Sequence, residues 1–276
     1  MILDTPGRRG RAAATVAVVL LVALAWIPAV DRPAREYVDA SLGQALAVFT
    51  TARAINAGLS VLQGTEVDAS PLGIGLTLAV GEVLDPANDL IERFSWVVLA
   101  SVASLGVQQL LAGAAGHALL AGLVTGTGLL LAALLLAGAG GGGTRWALRL
   151  FLLAVLLRFA MPIAGVLSAG ADRLFLAEQF AVSAAELDGA GAALEENLSR
   201  LEGPPENLSQ RLRRWLPGGS SEDWIADVGD YAGRIVDSVS RLIALFVLKT
   251  LLLPLAFIWG FARALKGLAA PRGGYS

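Results

Sequence analysis

Two stretches decide how this chain is built: RLFLLAVLLRFAMPIAGVL at 149–167 and LIALFVLKTLLLPLAFIWGF at 242–261. Each is long and apolar enough to cross the hydrocarbon core of a bilayer, roughly 30 Å or about twenty helical residues thick. Each also carries one cation, Arg158 and Lys249, with a proline just beyond it, Pro162 and Pro254. A cation near the bilayer centre costs at least about 2.5 kcal/mol, so both are candidate functional residues. Each proline lacks the N–H that would have bonded to the carbonyl four residues earlier, Arg158 in one case and Thr250 in the other. Arg158 lies deep in its span and cannot easily reach either surface, whereas Lys249 can partly snorkel. No acid lies inside any of the four spans delimited below, so neither cation is expected to have an intramembrane carboxylate partner. Backbone carbonyls, water, lipid phosphate or a neighbouring subunit remain. The two cations read either as lining an anion-tolerant path or lipid-headgroup site, or as snorkelling charges at kinks.

Composition agrees with a membrane location. The chain has 276 residues, is 55% apolar and has a mean hydropathy of +0.66, which places it among integral membrane proteins. It has no Cys and one His, His117. That excludes disulfides, thiolate nucleophiles and multi-His metal sites. With a formal charge of −2, nothing suggests nucleic-acid binding. No Ser, Asp or Glu has a visible catalytic partner, so no enzyme, cofactor or metal is expected. His117 opens an apolar span and reads as an interfacial or packing residue.

The strong spans fall at about 12–30, 117–136, 146–169 and 242–261. A fifth apolar stretch, 94–111, is ambiguous because it carries Ser95, Ser101, Ser104, Gln108 and Gln109. Loop charge favours four spans with both termini cytoplasmic. The inside pieces then hold Arg8, Arg9, Arg11, Arg145, Arg149, Arg263, Lys266 and Arg272 against a single acid, Asp4, as the positive-inside rule requires. With five spans the basic C-terminus moves outside and the bias vanishes. The expected division is 1–30, N-terminus and first membrane helix; 31–116, first periplasmic helical hairpin; 117–138, second membrane helix; 139–145, Gly-rich cytoplasmic loop. There follow 146–169, third membrane helix; 170–240, second periplasmic helical segment; 241–262, fourth membrane helix; 263–276, basic cytoplasmic tail. The first span can alternatively be read as a signal peptide, with a basic start and an Ala23-Leu24-Ala25 motif.

Both outside segments read as helical. Over 34–63, apolar residues recur near every third or fourth position. Ile74, Leu76, Leu78 and Val80 then alternate with Gly75, Thr77, Ala79 and Gly81, which predicts a strand and a small β-hairpin with 65–69. Asp85-Pro86 reads as the N-cap and first residue of the next helix. Later, Phe180, Ala184, Leu187, Gly191, Leu194, Leu198 and Leu201 form a coiled-coil-like seam. Ser220 with Asp223 resembles a capping box. The expected fold is therefore all-α: four membrane helices continuing into long extramembrane arms, with a β-hairpin at one tip.

Three constellations have bland readings beside sharper ones. Asp85, Asn88, Asp89 and Glu92 share a helix face. They could hold a divalent cation, or form a solvated face compatible with the helix dipole. Ser101, Ser104 and Gln108 form a polar stripe that could face a pore, or make contacts within a bundle. The glycines of 122–128 and 138–143 suit close helix approach, and no phosphate-loop pattern follows them.

AINAGLSVLQGTEV (54–67) and GEVLDPANDLIERFSWVVLASVASLGVQ (81–108) resemble a group of uncharacterised bacterial inner-membrane proteins. The resemblance implies an envelope location and points to Asn56, Gln63, Glu66, Asp85, Asn88, Asp89 and Glu92 as tip or interaction residues. It implies no activity. The function expected from the sequence is structural or interaction-based, as an envelope scaffold or the membrane subunit of a complex in a bacterial inner membrane. Its partners would be the lipid bilayer and either further copies of the chain or another membrane or periplasmic protein. The alternative is an oligomeric pore with anion preference.

Overall fold

The computed structural model describes residues 7–67, 74–139, 141–201 and 221–269, with side chains outside 61–84, 197–201 and 221–231. Helix α1 is Arg8–Ala25, followed by a 3-10 turn, Pro28–Val30, and then α2, Arg32–Val67. Helix α3 is Ile74–Ala115, α4 is Ala118–Leu136 and α5 is Gly142–Ala171. A π-helical turn, Asp172–Leu176, leads into α6, Ala177–Leu201. Helix α7, Ser221–Val247, passes through a second π-helical turn, Leu248–Leu252, into α8, Leu253–Ala269.

The described residues contain no strand, which overturns the expected hairpin. Residues 74–80 open α3 instead. Extending an existing helix adds a hydrogen bond for each residue fixed, whereas an isolated two-stranded hairpin is marginal in water. The period-two pattern also rested on Gly75 and Ala79 counting as polar positions, and a helix accepts both. Asp85 is consequently not an N-cap and Pro86 lies inside α3, where it cannot donate to the Glu82 carbonyl. Residues 68 and 69 and the Ser220 end of the capping box lie outside the described residues.

Four helical stretches are long and apolar enough to cross a membrane: Asp85–Ala115, Ala118–Leu136, Gly142–Glu196 and Ala232–Leu268. A fifth exists if α1 and the start of α2, which meet at an 82° bend, count as one broken span. The ambiguous stretch 94–111 thus belongs to one of the four, and the first span of the sequence is bent rather than straight. Ile27 explains the bend. It precedes Pro28 and adopts extended backbone, φ −89° and ψ 110°, because the proline ring disfavours helix in the residue before it. Pro33 sits in the first turn of α2, where a missing N–H costs nothing.

The chain forms two compact units, the first from 1–41, 104–172 and 250–276 and the second from 42–103 and 173–249. In the first unit, α4 packs on α1 and α5, and α5 packs on α8. Val18, Ala25, Val124, Leu131, Phe151 and Val155 lie in the core. Helix α4 is 19 residues long, about 28 Å at 1.5 Å per residue. His117 caps it, with Nδ1 accepting from the Leu119 N–H at 3.2 Å. Its other end closes as a Schellman motif: Gly138, at φ 67°, donates to the Leu135 carbonyl and Ala139 to that of Leu134. Outward, this unit presents bare apolar side chains, among them Leu20, Leu119, Leu129, Leu153 and Leu255.

The second unit is a helical bundle built on α2, α3, α6 and α7. The seam residues Phe180, Leu187 and Leu194 are buried in it, and Gly191 lets α6 approach Ile55 and Thr51 of α2. Phe246 packs edge-on to Phe180 at 5.4 Å and tilted against Phe94 at 6.2 Å. Polar links bind the same helices: Thr51 donates to Asp188 at 2.7 Å, and buried Ser238 donates to Glu186. Its exposed large apolar side chains among the described residues are Leu46, Trp96, Leu99, Leu174, Phe175 and Val182. Each lies close in the chain to a point where the chain enters or leaves the unit.

Candidate functional site

Arg158 is the largest fully buried side chain described, 2% exposed. Its guanidinium grips the carboxylate of Asp31 with both arms, Nη1 to Oδ1 at 2.7 Å and Nη2 to Oδ2 at 3.0 Å. The third donor, Nε, bonds to the Ala25 carbonyl at 3.1 Å. The expectation that Arg158 has no carboxylate partner is therefore wrong. Asp31 lies one residue beyond the straight span counted from the sequence, and the elbow at Ile27-Pro28 folds it back against α5. The elbow also explains the third bond. The last turn of α1 leaves carbonyls without helical partners, and Arg158 caps one of them. A cation thus meets the C-terminal end of α1 and an anion stands at the N-terminal end of α2, both favoured by the helix dipole. The signal in the sequence was Pro28 and Pro33 bracketing an acid, WIPAVDRP at 26–33.

A paired Arg158 with every guanidinium nitrogen bonded to protein offers nothing to a passing anion. Removing two charges from water costs several kcal/mol for each ion, which only close geometry and further hydrogen bonds offset. Both are present here. The surroundings are shaped to fit: a side chain on Gly116 would run into Asp31 and Arg35, and Arg35 reaches the Ala112 carbonyl at 3.5 Å.

The second proline site resolves differently. In the first unit, the Thr250 carbonyl freed by Pro254 accepts from Ser104 Oγ at 2.9 Å and from Gln108 Nε2 at 2.8 Å. Two residues of the polar stripe thus serve the kink, while Ser101 donates to its own helix at Val97. Replacing Ser104 with Ala and Gln108 with Leu together should strip both of these donors from the buried carbonyl and cost about 1–3 kcal/mol, read as lost resistance to denaturant in micelles. The Gln108→Leu single variant should cost less, because Ser104 still covers the carbonyl.

Lys249 belongs to the second unit and is 4% exposed. Its ammonium donates to Gln44 Oε1 at 2.9 Å and lies 5.2 Å from the Phe180 ring centre, a cation–π contact. The immediate partners of Arg158 and Lys249 are different, and each cation is held by its own unit.

The tip candidates also separate. Asn56 is half-buried in α2 and its carbonyl accepts from Ser60. Gln63 and Glu66 lie on α2, but their side chains are outside the described residues. Asp85 and Glu92 are exposed and Asn88 is half-buried. Asp89 pairs one turn along the helix with Arg93 at 2.8 Å, an exposed pair worth well under ~1 kcal/mol. No group of three or more His, Asp or Glu able to hold a metal occurs among the described residues. Comparison with protein-family models, with curated proteins and with solved structures finds no match to this chain.

Proposed function

We propose that this chain is an integral protein of a bacterial inner membrane with a structural or interaction role. Its first unit is the anchor, and its second is a periplasmic helical bundle that serves as an envelope scaffold or as the docking part of a larger complex. The contrast between the two surfaces carries this reading. The first unit exposes leucines along α1, α4, α5 and α8, which in water would drive aggregation and in lipid are at home. Among its described residues, the second unit exposes large apolar side chains only near its chain junctions.

The cations of the first unit support a cytoplasmic N-terminus. Arg11 lies over Gly138, so the start of α1 meets the end of α4, beside the loop that leads to Arg145 and Arg149. Exposed Trp146 and Trp259 sit under the guanidinium groups of Arg149 and Arg263, each at 5.6 Å, the pairing expected at a headgroup boundary. The anion-pore alternative draws no support from Arg158, whose charge is paired.

The chain contains no Cys, so single cysteines report sidedness directly. Exposed Ala114 and exposed Gly143 lie beyond opposite ends of α4. With cysteine at 114, an impermeant maleimide should label intact spheroplasts; with cysteine at 143, it should label only after lysis. The reverse pattern, or equal labelling, refutes the topology. The role is tested on the full chain in membranes with cysteine at Glu195, an exposed position of the bundle. Bifunctional maleimide should trap one discrete adduct, with a second copy or a second protein. A chain that stays monomeric and captures nothing at several bundle positions refutes the interaction role.

A further inference from the structure

One end of the first unit gathers five arginines and, among the described residues, no acid. Arg11 reaches from α1 to lie over Gly138, and Thr144 at the start of α5 donates to the Ala139 carbonyl at 2.6 Å. The start of α1, the end of α4 and the start of α5 therefore meet. This brings Arg8, Arg9, Arg11, Arg145 and Arg149 together at one end; four are exposed and Arg11 is half-buried. Among the described residues no carboxylate pairs with any of them. The described acids of this unit are Asp31, Glu36, Asp39 and Asp172, at the elbow, on α2 and just past the far end of α5.

Helix stability does not account for these charges. Arg8 with Arg11, and Arg145 with Arg149, are like-charged neighbours three and four residues apart, which destabilises a helix. Both helices also begin here, with no acid in either first turn, and the helix dipole disfavours a cation at that end. Beyond the arginines the same three helices turn apolar and stay exposed: Val16 and Leu20 on α1, Leu130 and Leu136 on α4, Leu150 and Leu153 on α5. Trp146, 64% exposed, marks the changeover, with the Arg149 guanidinium 5.6 Å from its ring centre. Its ring is apolar at one end and polar at the other, as a headgroup boundary favours.

We infer that this end of the first unit is a docking surface for anionic phospholipid, with headgroup phosphates on the five arginines and acyl chains along the adjoining leucines. The inference rests on the membrane reading above and adds a lipid class to it. Arginine suits a phosphate because its planar fork bonds two oxygens at once. A zwitterionic headgroup carries its own cation and has no net charge to offset the cluster. A free phosphate or an acidic protein would match the charge alone. Only a lipid matches the charge and the apolar strip together, as clusters of arginine beside membrane helices do.

The full chain would be reconstituted into phosphatidylcholine vesicles carrying spin-labelled phosphatidylglycerol or spin-labelled phosphatidylcholine, and the motionally restricted lipid measured by electron spin resonance. One cation near an anionic headgroup favours it about fivefold. Averaged over the whole boundary, phosphatidylglycerol should be preferred about twofold or more. Arg145→Gln with Arg149→Gln should lower the preference, and adding Arg8→Gln, Arg9→Gln and Arg11→Gln should bring it close to one. Arg53→Gln, at an exposed cation of the second unit, should leave it unchanged, as should inorganic phosphate at matched ionic strength. A wild-type preference of one, or no change in the double variant, overturns the inference. An equal loss in Arg53→Gln means diffuse charge, and competition by phosphate means a site for the free anion; either overturns it. Restricted lipid of either kind reports an embedded chain, so these failures leave the membrane reading standing. Its complete absence refutes both.

Discussion

Arg158→Met should destabilise the protein by about 3–5 kcal/mol, because it strands the Asp31 carboxylate in a buried site. Asp31→Leu should cost as much for the mirror reason: it leaves a guanidinium that is 2% exposed with only the Ala25 carbonyl. The double variant should be markedly more stable than either single one, since two apolar side chains of similar volume replace the pair without orphaning a charge. That cycle, measured by unfolding in mixed micelles, reads the coupling directly. Arg158→Lys should rescue only part of the loss. An ammonium cannot hold both carboxylate oxygens and the Ala25 carbonyl in one plane. If either single variant is neutral, or if the two losses simply add, the ion pair does not hold the elbow.

The second large effect is expected at Gly165. A Cβ there would come within 2.7 Å of the Ala34 Cα, and it meets the Ala34 methyl as well. The obstacle is backbone, which cannot swing aside. Gly165→Val should therefore cost about 3 kcal/mol, the upper part of the usual range for overpacking. Gly165→Ala with Ala34→Gly should recover part of this, because the methyl contact is relieved. Two other glycines calibrate the effect. At Gly128 the nearest atoms are the ends of the Val22 and Phe151 side chains, so Gly128→Ala should cost less. Nothing lies within 4 Å of a Cβ at Gly126, so Gly126→Ala should be neutral or slightly stabilising through helix propensity. Equal losses at all three positions would mean that helix flexibility, not close approach, sets the requirement.

Helix-forming apolar runs were legible because periodicity and length are local properties. So was the seam on α6, whose spacing places Phe180, Leu187 and Leu194 on one side whatever they face. The freed Thr250 carbonyl followed from Pro254 alone, and the polar stripe from the spacing of Ser104 and Gln108. That one satisfies the other was not legible, since it joins residues 142 and 146 positions apart. The strand expected at 74–80 failed for the opposite reason. Seven residues of alternating apolar and small side chains fit either period, and the neighbouring helix decided between them.

Asp31 shows where the boundary lies. The chain alone determines that a buried arginine needs an acceptor and that four or five stretches are apolar enough to cross a membrane. These rest on side-chain solvation and on backbone geometry within a turn or two. Which acceptor Arg158 finds depends on the direction in which an 82° elbow sends Asp31, and so on how α1, α2 and α5 pack. The same packing sets Gly165 against Ala34. Burial removes water as the default partner, and only the tertiary arrangement supplies the replacement.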